Sequence, residues 1–253
     1  METVVLSADM LLLLLVVAVV AGCLDTLVGG GGLLCLPALV LAGLPPLVAL
    51  GTNKLQGTVG TATASLMMFK HGKAKWQEVR WLMLSAFIGS ASGSVLVQFL
   101  DVSALRRLIP VVLIVVALYF LLSSVIAKHL PAVTIGSARF GCTAVPVIGL
   151  YDGMFGPGTG SFFSMSATAL RQLPLLQATA LAKTLNFATN FASLLVFVLA
   201  GHFVWQAGLV MMIGQMTGAY FGSHLLFRIN PGWLKSLIVL MCVAMLVRYW
   251  LTG

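Results

Sequence analysis

Two lysines, Lys54 and Lys183, stand inside runs of small and apolar residues in a chain that is only 8% charged. Lys54 lies in ALGTNKLQGTVG, residues 49–60, and Lys183 in LAKTLNFATN, residues 181–190. An ammonium placed among apolar residues is costly unless it is paired or put to use, and its simplest use is to hold an anion. A lysine snorkelling to water from a helix end is the plainer reading of either one alone. Amides accompany both. Lys183, Asn186 and Asn190 fall at i, i+3 and i+7, on one helical face. The matching face of the first stretch carries Lys54, Gly57, Thr58, Thr61 and Ser65, with Gln56 off it and Asn53 placed to cap a helix opening at Lys54. Threonines at such positions also serve to join helices, a role that explains the duplicated lysines poorly.

Glycines form the second chemical feature. Gly29, Gly30, Gly31 and Gly32 run together, and GPGTG supplies Gly156, Gly158 and Gly160. Turns of this kind can aim backbone N–H groups at an anion, or let helices turn and pack closely. No Lys-Ser or Lys-Thr follows at the P-loop spacing, so nucleotide binding of that kind is excluded. Asp25 and Asp152, two of only six acids, precede the two glycine stretches. They could pair with the lysines, carry a proton, or cap the adjoining backbone.

These residues recur in register. Asp25 and Asp152, Gly29 and Gly156, and Gly31 and Gly158 are each 127 positions apart. From Pro45 and Pro174 onward the offset is 129, through Lys54 and Lys183, Gly72 and Gly201, Trp76 and Trp205, Gly89 and Gly218, the pairs Gly93-Ser94 and Gly222-Ser223, and Arg106 and Lys235. The chain therefore reads as a duplication, residues 1–128 and 129–253.

The elements that must position these groups are set by composition. Sixty per cent of 253 residues are hydrophobic and mean hydropathy is +1.08, more apolar side chain than a soluble core of this size can hide. The expected class is all-α: a polytopic helical membrane protein of about eight to ten spanning segments. Apolar segments read at 10–28, 33–50, 53–69, 81–100 and 105–127, and again at 138–155, 160–177, 178–200, 207–227 and 233–252. The second of each half is short and interrupted by Pro37, Gly43, Pro45 and Pro46, or by Pro174, so it either crosses obliquely or is re-entrant. Residues 10–28 follow Glu2 and Asp9 rather than basic residues, which argues for a retained span over a signal peptide.

The net charge of +8 is carried mostly between apolar runs, the pattern of membrane orientation rather than of nucleic-acid binding. Lys70, Lys73, Lys75 and Arg80 surround the loop after the third segment, whereas its counterpart GHFVWQAG has no Lys or Arg. Equivalent loops on opposite sides imply inverted repeats, with both termini outside. Cys23, Cys35, Cys142 and Cys242 lie in apolar stretches without paired spacing and read as buried free thiols, with no disulfide and no metal site. No cofactor motif is present.

The stretch DTLVGGGGLLCLPALVLAGLPPLVALGTNKLQGTVGTATASLMMFKHG closely resembles the TauE/SafE family, also called TSUP, of sulfite and organosulfonate exporters of the cytoplasmic membrane. The second copy fits the same pattern more loosely, with Ala182 where the first has Asn53. The resemblance implies export of a small sulfur-containing anion such as sulfite, a sulfonate or thiosulfate, and leaves the oligomeric state open. The expected site combines Lys54 and Lys183 with Asn53, Gln56, Asn186, Asn190 and the two glycine turns, and Asp25 and Asp152 stand by for proton coupling or structure. Two other classes remain in view. Gly160-Ser161 with His71, His129, His202 and His224 could suggest an intramembrane serine protease, but no base and orienting acid assemble. A metal-cation transporter would call for clustered carboxylates, Cys or His rather than lysines.

Overall fold

The structure is a computed structural model and describes residues 6–129 and 134–226. It is all helical over these residues. The elements are α1 (Ala8–Val28), α2 (Gly32–Leu41), α3 (Pro46–Lys70), α4 (Trp76–Val97), α5 (Val102–His129), α6 (Ser137–Cys142), α7 (Ala144–Met154), α8 (Thr159–Arg171), α9 (Leu175–Leu199) and α10 (Trp205–Leu225). The expected segment 233–252, with Arg228, Lys235, Cys242 and Arg248, lies outside the described residues.

Prolines and positive-φ residues set the boundaries. Gly43, at φ 88, ends α2, and Pro45 at ψ 144 then sends the chain into α3 with Pro46 at its first position, where the missing N–H costs nothing. Gln172 at φ 53 and Pro174 at ψ 143 do the same between α8 and α9. This corrects the segment limits. Residues 46–50 belong to α3 and 175–177 to α9, so Lys54 and Lys183 do not open their helices: each is the ninth residue of one. Asn53 accordingly caps nothing, because the N-cap position of α3 is Pro45. The segment expected at 138–155 is broken at Thr143 into α6 and α7, where Pro146 has no N–H to extend the ladder back to Cys142. α2 and α8, of 10 and 13 residues, rise about 15 and 20 Å, short of an apolar layer about 30 Å thick.

Among the described residues, four helices are long and apolar enough to cross a membrane: α1, α4, α5 over Val102–Tyr119, and α9. α3 and α10 match them in length, but Thr, Asn, Gln and Lys in one and Gly, Gln and His in the other lower their hydropathy. Burial departs from that of a water-soluble protein at both surface and core. Leu12, Val16, Leu66, Trp81, Leu84, Ile88, Phe99, Leu199 and Ile213 are exposed, while Lys54, Lys183, Asn53, Gln56, Asn186, Asn190 and Gln215 are buried. Such a body is at rest with lipid outside and polar groups satisfied within; the protein is a multi-pass membrane protein.

α3 and α9 pack on each other at the centre, α10 against α3, and α4 and α8 against α9. α1 then lies along α10, and α7 along α4. Small residues make these outer contacts close. Gly89 and Gly93 of α4 rest on the carbonyls of Pro146 and Leu150, and Gly218 and Gly222 of α10 rest on α1 at Val19 and Cys23. Four-residue spacing of glycine lets backbones approach where apolar attraction between helices is weak in lipid. Ser94 and Ser90 add hydroxyl bonds from α4 to Gly153 O of α7 (3.1 Å) and Thr189 O of α9 (2.8 Å). The cysteine expectation needs one change: Cys35 is buried, Cys23 partly so, but Cys142 is exposed, because the α6–α7 break puts it on the outer face.

Candidate anion site

The lysines and aspartates pair crosswise along the chain. Lys54 of α3 donates to the Asp152 carbonyl oxygen of α7 at 2.5 Å and lies 3.0 Å from its Oδ1. Lys183 of α9 donates to the Asp25 carbonyl oxygen of α1, with Asp25 Oδ2 at 3.5 Å. Both lysine side chains are 1% exposed, as is Asp152, whereas Asp25 is 14% exposed. Neither ammonium snorkels to headgroup water. Each lies across from the last turn of a helix, α7 for Lys54 and α1 for Lys183, where the carbonyls carry partial negative charge.

Both aspartates have a second duty at the turn that follows them. Asp25 Oδ1 accepts the N–H of Gly31 at 3.2 Å, and Asp152 Oδ1 accepts the hydroxyl of Thr159 at 2.7 Å. Thr159 is a site residue that the sequence reading passed over; its signal was the one hydroxyl within GPGTG, at the first position of α8. Asp152 Oδ2 is buried and has no hydrogen-bond partner.

The glycine turns sit against the lysines. Gly156 takes φ 95, and a Cβ there would fall 3.0 Å from Lys54 Nζ. A Cβ on Gly160 would fall 3.4 Å from both Lys183 Nζ and Asn186 Nδ2, and 2.9 Å from the Cα of Gly29. The α1–α2 turn and the start of α8 are thus in backbone contact, and the Ser161 hydroxyl donates to Val28 O. Gly29 itself, at φ 88, caps α1 through its N–H to Asp25 O at 2.7 Å. Gly30 and Gly31 are buried in the same turn, Gly32 begins α2 against Pro157, and Gly158 at φ 80 precedes α8. The expectation that these turns offer free backbone donors holds less well than their role as close-packed joints, since the N–H groups of Gly29 and Gly31 are engaged.

The amides are buried but bond along their own helices. Asn190 Nδ2 donates to Asn186 O at 2.8 Å and Asn186 Oδ1 at 3.1 Å, with its Oδ1 facing Gly57 of α3. Gln56 Nε2 donates to Asn53 Oδ1 at 2.7 Å, and Gln56 Oε1 is left buried without a partner. The structure therefore gathers Lys183, Asp25, Asn186 and Gly160 in one place, and Lys54, Asp152, Thr159 and Gly156 in another. The protease reading finds no support in this geometry. Ser161 is committed to a carbonyl, His71 and His224 sit 2.7 and 2.9 Å from main-chain oxygens of their own helices, and no histidine is shown beside Ser161 among the described residues.

No solved structure matches the chain significantly. Sequence relatives do. The chain is 35% identical over 243 residues to a "Probable membrane transporter protein" of Haemophilus influenzae, covering 96% of this chain and 95% of that protein. It is 37% identical over 243 residues to "Probable membrane transporter protein ORF9" of a Sinorhizobium species, covering 96% and 93%. Over 229 residues it is 37% identical to "Probable membrane transporter protein YfcA" of Escherichia coli K12, covering 90% and 85%. Residues 14–249 match the family described as "Sulfite exporter TauE/SafE". The duplicated lysines, the glycine turns and the helical membrane body are thus those of a chain that belongs to the sulfite exporter TauE/SafE family.

Proposed function

We propose that the protein is a secondary transporter that moves small sulfur-containing oxyanions, of the sulfite, thiosulfate or sulfonate type, outward across the cytoplasmic membrane. The observation that carries this reading is the pair of buried, crossed Lys–Asp contacts, one ammonium from each copy, placed between elements of both copies. Lys54 and Lys183 supply the charge, and Asn53, Gln56, Asn186 and Asn190 supply hydrogen bonds once they leave their present partners. Residues 1–128 and 129–253 act as inverted repeats with both termini outside, and transport is a rocking of one against the other about the α3–α9 contact. The exchange of partners between copies supports this reading, because any relative motion of the halves must strain both ion pairs together. The sulfur chemistry of the cargo rests on the family's description alone.

Counterflow in proteoliposomes of sulfite, thiosulfate, an alkanesulfonate and sulfate tests the reading. At least one sulfur oxyanion should exchange, and Lys54→Ala or Lys183→Ala should abolish exchange while the protein still inserts in the membrane. Unaltered exchange in both variants would remove the lysines from the site.

A further inference from the structure

Each of the two places holds one ammonium group and one carboxylate, so each is neutral when it holds nothing else. We infer that this neutrality is kept throughout transport: each negative charge on the bound anion is matched by one proton taken up on Asp25 or Asp152, and anion and protons cross together. This rests on the transport reading and extends it to the coupling ion and its stoichiometry.

The inference begins with the ammonium groups, both of which are occupied. For an oxyanion to be held by Lys54 and Lys183, each must turn away from the carboxylate it now faces. Ionised, those carboxylates would remain beside the incoming anion in largely buried surroundings, and unpaired charge in such a place is strongly destabilising. A proton on each displaced carboxylate removes that charge: an O–H bond forms at the carboxyl oxygen, the proton comes from the aqueous side that is open, and it is released on the other side when the ammonium returns.

The atoms are arranged for this. Each carboxylate has one oxygen tied to the turn that follows it, Oδ1 of Asp25 to the Gly31 N–H and Oδ1 of Asp152 to the Thr159 hydroxyl. The other oxygen is available. Asp152 Oδ2 is buried with no partner, and Asp25 Oδ2 has Lys183 at 3.5 Å, which leaves when the anion binds. The carboxylate can therefore gain a proton without releasing its helix. Few other groups compete. Cys35 of α2 and Tyr151 of α7, whose hydroxyl donates to Pro157 O, are neighbouring titratable side chains on these elements. α4 and α10 present Ser90, Ser94 and Gln215 towards the core and no charge there. A metal cation is a poorer counter-charge: the anchored oxygens already accept hydrogens, and no group of three His, Cys, Asp or Glu gathers among the described residues. Outward flux then runs on the combined gradients of anion and protons, with no contribution from the membrane potential.

The test uses the full chain in vesicles with a pH-sensitive dye inside, and cargo that stays fully ionised: thiosulfate and sulfate as dianions, an alkanesulfonate as monoanion. Entry of a dianion should acidify the lumen by two protons per anion, entry of the sulfonate by one, and neither rate should respond to a potassium–valinomycin clamp of membrane potential or to replacing sodium with choline. Asp25→Asn and Asp152→Asn each remove one proton acceptor, so any dianion flux they retain should carry one proton and become sensitive to potential. Net anion entry without proton movement, potential-dependent wild-type flux, or a sodium requirement overturns the coupling and leaves the transport reading intact. Failure of every anion to counterflow overturns both.

Discussion

The two Lys–Asp contacts have the same composition and unequal surroundings. Lys54–Asp152 is closed on all sides, each side chain 1% exposed, with the ammonium 3.0 Å from the carboxylate and a hydroxyl on the same oxygen. Lys183–Asp25 is longer, at 3.5 Å, its carboxylate is 14% exposed, and the tether is a backbone N–H. Positions that recur in register would be expected to match if the protein were held in a symmetric state. One Lys–Asp contact is packed shut and the other partly exposed in the same structure. On the alternating-access reading, the two exchange these conditions as the halves rock.

The largest effect expected from this difference is on folding. Lys54→Met leaves Asp152 buried without its partner, a change that costs about 3–5 kcal/mol. Lys183→Met should cost less, because Asp25 keeps some contact with solvent. Thermal unfolding of both variants in one detergent measures the gap, and equal losses would show that the two environments are energetically alike. Replacing both partners, Lys54→Met with Asp152→Leu, should recover most of the lost stability and none of the transport, since an apolar pair of similar volume substitutes well for a buried ion pair.

A second comparison separates backbone strain from crowding at the ammonium. Gly156 and Gly43 take nearly the same conformation, φ 95 and 88, but a Cβ on Gly43 meets nothing within 4 Å, whereas one on Gly156 falls 3.0 Å from Lys54 Nζ. Each alanine substitution should cost about 1–3 kcal/mol from the unfavourable dihedral. Only Gly156→Ala should also depress counterflow of the protein that remains folded. Equal counterflow per folded molecule would mean that Lys54 moves aside without consequence.

The sequence disclosed the ingredients of this site better than its wiring. Matching Lys54 with Lys183 and Asp25 with Asp152 needs only the register, because glycines, tryptophans and charges recur at fixed offsets. Register says that two residues are equivalent and says nothing of which copy supplies a partner. The crossed pairing follows from α1 lying along α10 and α7 along α4, a matter of chain path through the bilayer. The segment limits failed at Pro45-Pro46 and Pro174 for a local reason. Prolines that look like interruptions inside a segment are, at the first turn of a helix, favourable starts, and moving those starts put Lys54 and Lys183 two turns deep instead of at the edge. Asn53 lost its capping role by the same shift. Thr159 went unnoticed because one threonine in a glycine turn carries no periodic signal, and its importance comes from Asp152, which the fold places beside it.

Thr159 also provides the finest test of the asymmetry. Its hydroxyl lies 2.7 Å from Asp152 Oδ1 and 2.8 Å from Gly156 O, so it ties the carboxylate of the closed half-site to the turn that carries Gly156. In the open half-site the corresponding donor is the N–H of Gly31, which no side-chain substitution removes. Thr159→Val keeps the shape and deletes the donor, at an expected loss of about 0.5–1.5 kcal/mol. If the hydroxyl holds Asp152 in place for Lys54, the loss should appear both in thermal unfolding and as a shifted concentration for half-maximal counterflow. A stability loss without that shift would show that the hydroxyl braces the start of α8 alone, and that the closed half-site is closed by its packing against α3 and α4.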